Sequence, residues 1–156
     1  VDEKKLLKYA IDYLSKYDSS KKNLLDVLKR KIFRLKITGK EKKNLFHLLD
    51  NIILNLESNK FIDDKKYTSS KIRSLSSRGK SKRYIVNYLI KKGIDKSEID
   101  INFKDCFDKD YDWELSSAKI FVRKKNLLIS KDTYEKKLAK MARAGFSYEV
   151  CKKALS

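Results

Sequence analysis

Apolar residues recur along this chain at intervals of three and four, with short polar stretches between them. The recurrence predicts helices from one end to the other. Leu7, Ile11 and Leu14 share a face of a first helix, with Ala10 and Tyr17 beside them. The pattern lapses over Ser15 to Ser20. Ser20 is placed to N-cap a second helix, with Leu24, Leu25 and Leu28 inward. Lys29, Arg30 and Lys31 then fall at its end, where cations suit the negative end of the helix dipole. A polar connection ending in Thr38-Gly39-Lys40 leads to a long amphipathic helix bearing Leu45, Leu48, Leu49, Ile52, Ile53 and Leu56. The breadth of that stripe predicts a central packing element.

The next unit opens at Phe61-Ile62-Asp63-Asp64-Lys65-Lys66-Tyr67. Asp63 fits an N-cap and Asp64 the first helical turn, which puts Ile62 and Tyr67 at the spacing of a hydrophobic staple. That helix runs through Ile72 and Leu75 and stops near Gly79. Ser81 caps another, carrying Ile85 and Leu89 inward and ending at Lys91-Lys92-Gly93, with Gly93 where a left-handed residue is wanted. Ser97 to Phe103 is a further short helix. Beyond the acidic stretch from Asp105 to Glu114, Trp113, Ala118, Phe121 and Val122 mark a helix. Asp132 or Thr133 caps the next, through Leu138 and Met141 to Gly145, and Ser147 caps a last one with Val150, Cys151 and Leu155.

The pattern repeats. Ser20 to Lys31 parallels Ser81 to Lys92, and Met141 to Phe146 parallels Leu89 to Ile94, at spacings of 61 and 52 residues. The expectation is an all-α protein of three tandem three-helix repeats, over 1–61, 62–104 and 105–156, in an elongated, curved array.

Composition sharpens this picture. The 156 residues include no proline and four glycines, where a chain of this size ordinarily has roughly 8 prolines. That argues against a turn-rich sandwich or barrel. Apolar residues at 41% suffice for a core. No run approaches the roughly 18 apolar residues of a membrane span. Val1 in place of an initiator Met predicts a trimmed chain, and Val1 to Lys5 lacks the apolar core of a signal peptide. Two cysteines are too few for a disulfide framework or a zinc site, so a reducing, cytoplasmic setting is expected.

The net charge of +18 calls for a polyanionic partner, most simply nucleic acid. It is spread as +7 over residues 1–66, +7 over 67–104 and +4 over 105–156, as suits an extended partner better than a small pocket. Lysine outnumbers arginine 32 to 7, a bias that genome composition can also produce. A charge run on a helix is ordinarily a solvated face, so clusters are the better candidates. These are Lys29, Arg30 and Lys31; Arg78, Lys80, Lys82 and Arg83 about one turn; Lys91 and Lys92; and Arg123, Lys124 and Lys125.

Other chemistry fails on spacing. Gly79-Lys80-Ser81 imitates the tail of a phosphate-binding loop, but Ser74 stands where Gly is needed and the segment upstream reads as helix. Asp108-x-Asp110-x-Asp112 imitates a calcium loop, but Trp113 and Lys119 occupy the positions of its Gly and Glu. Asp63 and Asp64 are explained by capping. His47, the only histidine, has no orienting partner for general-base work. Cys106 and Cys151 are expected to be small buried hydrophobes. No catalytic, cofactor or metal site is predicted, and a hydrolase or nuclease has no supporting constellation.

Several of these segments together resemble the RecX family of regulatory proteins. Asn59 to Tyr67 is similar to its G-[FY]-[IL]-[DN]-D-x-x-[YF]-[AS] signature, with Phe61, Ile62, Asp63, Asp64 and Tyr67 in register. Arg78-Gly79-Lys80-Ser81 follows at family spacing, and Leu89 to Ile94 resembles L-x-x-K-G-[IV] through Gly93. Arg143-Ala144-Gly145-Phe146-Ser147 looks like R-R-G-F-[SD]. Ala10 to Leu14 and Tyr17 to Ser20 look like A-L-x-x-L and R-x-R-S. Ile32 departs from a Gly before Phe33, Tyr17 from an Arg, Thr68 from a smaller residue, and Asn59-Lys60 from a Gly. The resemblance implies three tandem three-helix repeats and a monomeric, non-enzymatic regulator without a cofactor. It also implies binding to the RecA recombinase and its filament on single-stranded DNA, in the filament groove. There such proteins limit filament extension, ATPase and strand exchange, and so modulate recombination, repair and the SOS response. A stand-alone basic helical protein that coats single- or double-stranded DNA is the alternative reading.

Overall fold

The computed structural model describes residues 2–156, and among these every regular element is an α-helix. They are α1 (Glu3–Lys16), α2 (Lys21–Arg34), α3 (Gly39–Ser58), α4 (Asp64–Ser77), α5 (Lys82–Lys91), α6 (Lys96–Cys106), α7 (Trp113–Lys124), α8 (Tyr134–Arg143) and α9 (Tyr148–Leu155). The chain divides into two compact units, Val1–Tyr67 and Thr68–Ser156.

In the first unit α3 packs against both α1 and α2, the central role its broad stripe predicts. Its Leu45, Leu49, Ile52 and Leu56 are buried with Leu24, Leu28 and Ile32 of α2. The α1 contribution differs from expectation. Leu6 and Ala10 are fully buried, whereas Leu7, Ile11 and Leu14 flank them half-buried and Tyr17 is exposed. The buried stripe is therefore rotated by one position, onto Leu6 and Ala10. The α2 helix also runs a turn further than expected. Ile32 is buried inside it, so Lys29, Arg30 and Lys31 lie on its body and Arg34 ends it. No glycine turn is needed before Phe33, which explains how Ile32 is tolerated there. Thr38 N-caps α3 through the Glu41 N–H, so Gly39 and Lys40 belong to its first turn.

Capping of the remaining helices follows local chemistry. Ser20, Ser81, Thr133 and Ser147 each accept the N–H three residues on, as does Asp112, and Asp63 accepts that of Lys66. Thr133 rather than Asp132 caps α8. Asp95 caps α6 without a side-chain bond, and α6 begins at Lys96 and reaches Cys106, beyond the expected Ser97 to Phe103.

Five helix ends close the same way. The N–H of the second residue past the C-cap reaches back five positions: Phe61 to Leu56, Lys80 to Leu75, Ile94 to Leu89, Leu127 to Val122 and Phe146 to Met141. This closure needs a left-handed residue, and Gly79, Gly93 and Gly145 supply it at φ 84°, 83° and 103°. Lys60 and Asn126 adopt it at 61° and 52° without being glycine. The sequence marks Asn59-Lys60 as a departure from a family Gly, whereas nothing in it singles out Asn126.

In the second unit, Ala118, Val122 and Leu127 pack with Met141, Phe146, Cys151 and Ala154. Buried Asn102 accepts from Ser69 Oγ at 2.8 Å and donates to the Glu98 carbonyl at 2.7 Å. Cys151 is buried, which pushes its thiol up. Cys106 is only half-buried, contrary to expectation, and its Sγ points to the Ser69 carbonyl at 3.8 Å.

Candidate functional site

The turn joining α4 to α5 holds Arg78, Gly79, Lys80, Ser81, Lys82 and Arg83, and its backbone is fixed from several sides. Ser117 Oγ of α7 donates to the Lys80 carbonyl at 2.6 Å, and Lys124 Nζ donates to the Arg78 carbonyl at 3.2 Å. The Lys82 N–H donates to Glu114 Oε2 at 2.8 Å. Ser81 is fully buried; its hydroxyl accepts from the Tyr84 N–H and donates to the Ala144 carbonyl at 2.9 Å. The two flanking glycines allow this closeness. A Cβ on Gly79 would lie 3.0 Å from the Phe121 backbone nitrogen, and one on Gly145 would overlap Ser81 Oγ.

The side chains on this rigid turn lie outward. Arg78, Lys82 and Arg83 are exposed, and Lys80 half so. Lys80 Nζ lies 4.7 Å from the Tyr84 ring centroid and Lys82 Nζ 5.6 Å from that of Phe103. Arg83 Nη2 donates to the Ala142 carbonyl at 3.3 Å. Lys124, from another candidate cluster, is brought to the same turn, with Arg123 and Lys125 exposed beside it in sequence. Lys91 and Lys92 stand at the other end of α5, about 14 Å along the helix from Lys82 at 1.5 Å per residue. Lys92 Nζ is 5.6 Å from the Tyr88 ring, which Lys71 also approaches at 5.9 Å. Lys29, Arg30 and Lys31 belong to the first unit, with Lys31 Nζ 4.9 Å from the Tyr9 ring.

Sequence reading found the cations but not what holds them. Glu114, Ser117 and the aromatic partners lie far off in sequence, and no short-range pattern announces them. A related contact closes the first unit. There the Lys21 N–H, at the start of α2, donates to Asp64 Oδ1 at 2.8 Å. Burial pushes the Asp64 carboxyl above its ordinary range. Lys21 Nζ pairs with Glu57 at 2.9 Å, and the hydrogen bond to Glu57 raises the Lys21 ammonium.

Of the family-signature residues, Ile62, Tyr67 and Phe146 are buried, while Phe61 is half-exposed. Gly93 and Gly145 are the left-handed residues already described. Gly79-Lys80-Ser81 follows the helix α4, not a strand. Asp112 is a helix cap, and exposed His47 lies on α3. Among the described residues no three His, Cys, Asp or Glu side chains stand together as metal ligands do. No described helix is long and apolar enough to cross a membrane.

Fold and surface together define an all-α helical protein that presents cations on a rigid inter-helix turn. Comparison with known proteins makes this specific. The model of the second three-helix domain of RecX matches residues 63–101, which include this turn. The regulatory protein RecX of Myxococcus xanthus is 29% identical over 154 residues, spanning 94% of this chain and 81% of the relative. That of Finegoldia magna is 32% identical over 120 residues, or 72% of this chain and 57% of the relative. The crystal structure of RecX from Lactobacillus salivarius superposes with a TM-score of 0.69 at 25% identity, covering 97% of this chain and 93% of that one. A further RecX crystal structure, at 22% identity and a TM-score of 0.68, shares the fold. The chain is thus similar to RecX proteins along nearly its whole length, and shares their fold. Its relatives are named regulatory proteins, not enzymes.

Proposed function

We propose that this protein binds the RecA recombinase and its filament on single-stranded DNA, and limits filament extension, ATP hydrolysis and strand exchange. It would thereby moderate recombination, repair and the SOS response in the cytoplasm. The observation that carries the reading is the RecX likeness along nearly the whole chain. We read the helices as three modules over 1–61, 62–104 and 105–156, acting as a monomer. Each bound module would raise the effective concentration of the next, so contacts at several protomers reinforce one another. The cations about the α4–α5 turn would face the bound strand.

The test is RecA ATP hydrolysis on single-stranded DNA with this protein substoichiometric to RecA. Hydrolysis should slow while RecA remains on the DNA. If inhibition merely follows coating of free DNA, the filament-specific reading fails. The alternative, a stand-alone DNA-coating protein, draws support from the aromatic-backed cations of the turn. It requires salt-dependent binding to naked DNA that reversal of Arg78, Lys80, Lys82 and Arg83 to Glu abolishes.

A further inference from the structure

One stretch of this cationic chain has the opposite sign. Residues 105–114 carry a net charge of −4 within a protein of +18. They fold round an aromatic stack. The Trp113 ring lies between Phe103 and Phe107, with centroids 5.1 and 5.2 Å away and interplanar angles of 20° and 12°. Tyr111 tilts against Phe107 at 6.1 Å. Phe103 is buried at the base of the stack, and Tyr111 at its rim is 52% exposed. The rings line a groove of about 740 Å³ that Asp108 and Asp110 also border.

Three lysines, Lys82, Lys104 and Lys109, border the groove along with the acids. Lys82 Nζ stands 5.6 Å from the Phe103 centroid, at one end of the stack. Two of the acids are engaged locally: Asp112 accepts the Leu115 N–H at 3.0 Å and Glu114 the Lys82 N–H at 2.8 Å. Asp108 and Asp110 take part in no ion pair among the described residues. Their carboxylates stand beside exposed ring surface outside any such pair.

This combination selects its occupant. Aromatic faces attract cations, and a guanidinium adds flat stacking and a fork that matches a carboxylate. A phosphate strand is repelled by the same acids, so the polyanion suited to the basic turn does not suit this groove. We propose that the aromatic groove of Phe107, Tyr111 and Trp113 docks an arginine-bearing basic segment of a protein partner. Its guanidinium stacks on the outer rings while Asp108 and Asp110 take its N–H groups. The proposal does not depend on the RecA reading, since it rests only on the groove's rings and charge.

Trp113 is the only tryptophan, so its emission reports on this groove directly. The full chain is titrated at low salt with a capped tetra-arginine peptide, with tetra-lysine and tetra-glutamate in parallel. A saturable change is expected with arginine, weaker binding with lysine and none with glutamate. The double variant Asp108→Asn with Asp110→Asn, and separately Tyr111→Ala, should each weaken arginine binding by about tenfold, from the loss of charge-assisted pairing or of the ring face. All three positions are exposed, and unchanged melting of the variants verifies their folding. No saturable change at millimolar peptide, or equal affinity in both variants, overturns the proposal. So does an emission change that follows protein concentration without peptide, because it identifies a second copy as the occupant.

Discussion

Replacing Gly79 by alanine tests whether the basic turn is held by close backbone approach. Gly79 has φ 84°, and the Cβ of an alanine there would lie 3.0 Å from the Phe121 backbone nitrogen, 3.2 Å from Ile120 Cγ2 and 3.3 Å from Phe121 Cα. The left-handed conformation costs an L-residue about 1–2 kcal/mol. Overpacking against a helix backbone adds about 1–3 kcal/mol, because no flexible side-chain end can yield. The expected loss is therefore about 2–5 kcal/mol in the second unit, or roughly 5–15 °C in melting temperature for a chain of this length. Denaturant unfolding followed by Trp113 emission reads that unit directly. Gly39→Ala is the internal control. Gly39 has nothing within 4 Å of its added Cβ and sits in the first turn of α3. There alanine should be neutral or stabilise by up to about 1 kcal/mol. If Gly79→Ala costs less than about 1 kcal/mol, α7 is not tightly packed on the turn and the argument for a pinned basic site fails.

Substitutions at two positions test the first unit. Lys60→Gly should stabilise it by about 1 kcal/mol, since Lys60 holds φ 61° at the end of α3 where glycine carries no steric penalty; calorimetry on the full chain reads it. Asp64 gives a pH dependence of defined sign. Its carboxyl is raised by burial, so its contribution to stability is fully present below its ordinary value of 3.8 and is lost as pH rises through the raised value. Asp64→Asn keeps an acceptor for the Lys21 N–H and should flatten this part of the pH profile; Asp64→Ala should flatten it too and lie about 1 kcal/mol below the Asn variant at every pH. Denaturation midpoints at several pH values separate the two; an Asn variant as pH-dependent as the parent would refute the assignment.

How much was legible in the sequence depended on the range of the interaction. Helix caps and glycine stops are set within five residues, so Ser20, Ser81, Ser147, Gly93 and Gly145 took their roles as read. The helix faces were legible to within one position. In α1 Leu6 and Ala10 are buried where Leu7 and Ile11 were expected, a one-position shift that periodicity alone does not fix. The α2 end was misjudged since Lys29 to Lys31 looked like a dipole-matched terminus, yet Ile32 had an apolar site to fill one turn on. Long-range contacts left no trace: Ser117 lies 37 residues from Lys80, and Glu114 lies 32 from Lys82.

The way the turn is held bears on what its charge can do. The contacts that pin its backbone fall on carbonyls and N–H groups, through Ser117, Lys124 and Glu114. Among the described residues, no ion pair involves Arg78, Lys80, Lys82, Arg83 or Lys124. A turn fixed by salt bridges would spend its cations on internal carboxylates; this one is rigid while its cationic groups keep their full charge. Tyr84 and Phe103 support two of the ammonium groups without neutralising them. Cations so placed lose little side-chain freedom when they meet a phosphate strand, and each one engaged should steepen the salt dependence of binding. Rigid backbone and uncompensated charge are thus one arrangement, which is why a substitution at Gly79, itself uncharged, is expected to disturb a surface whose function is electrostatic.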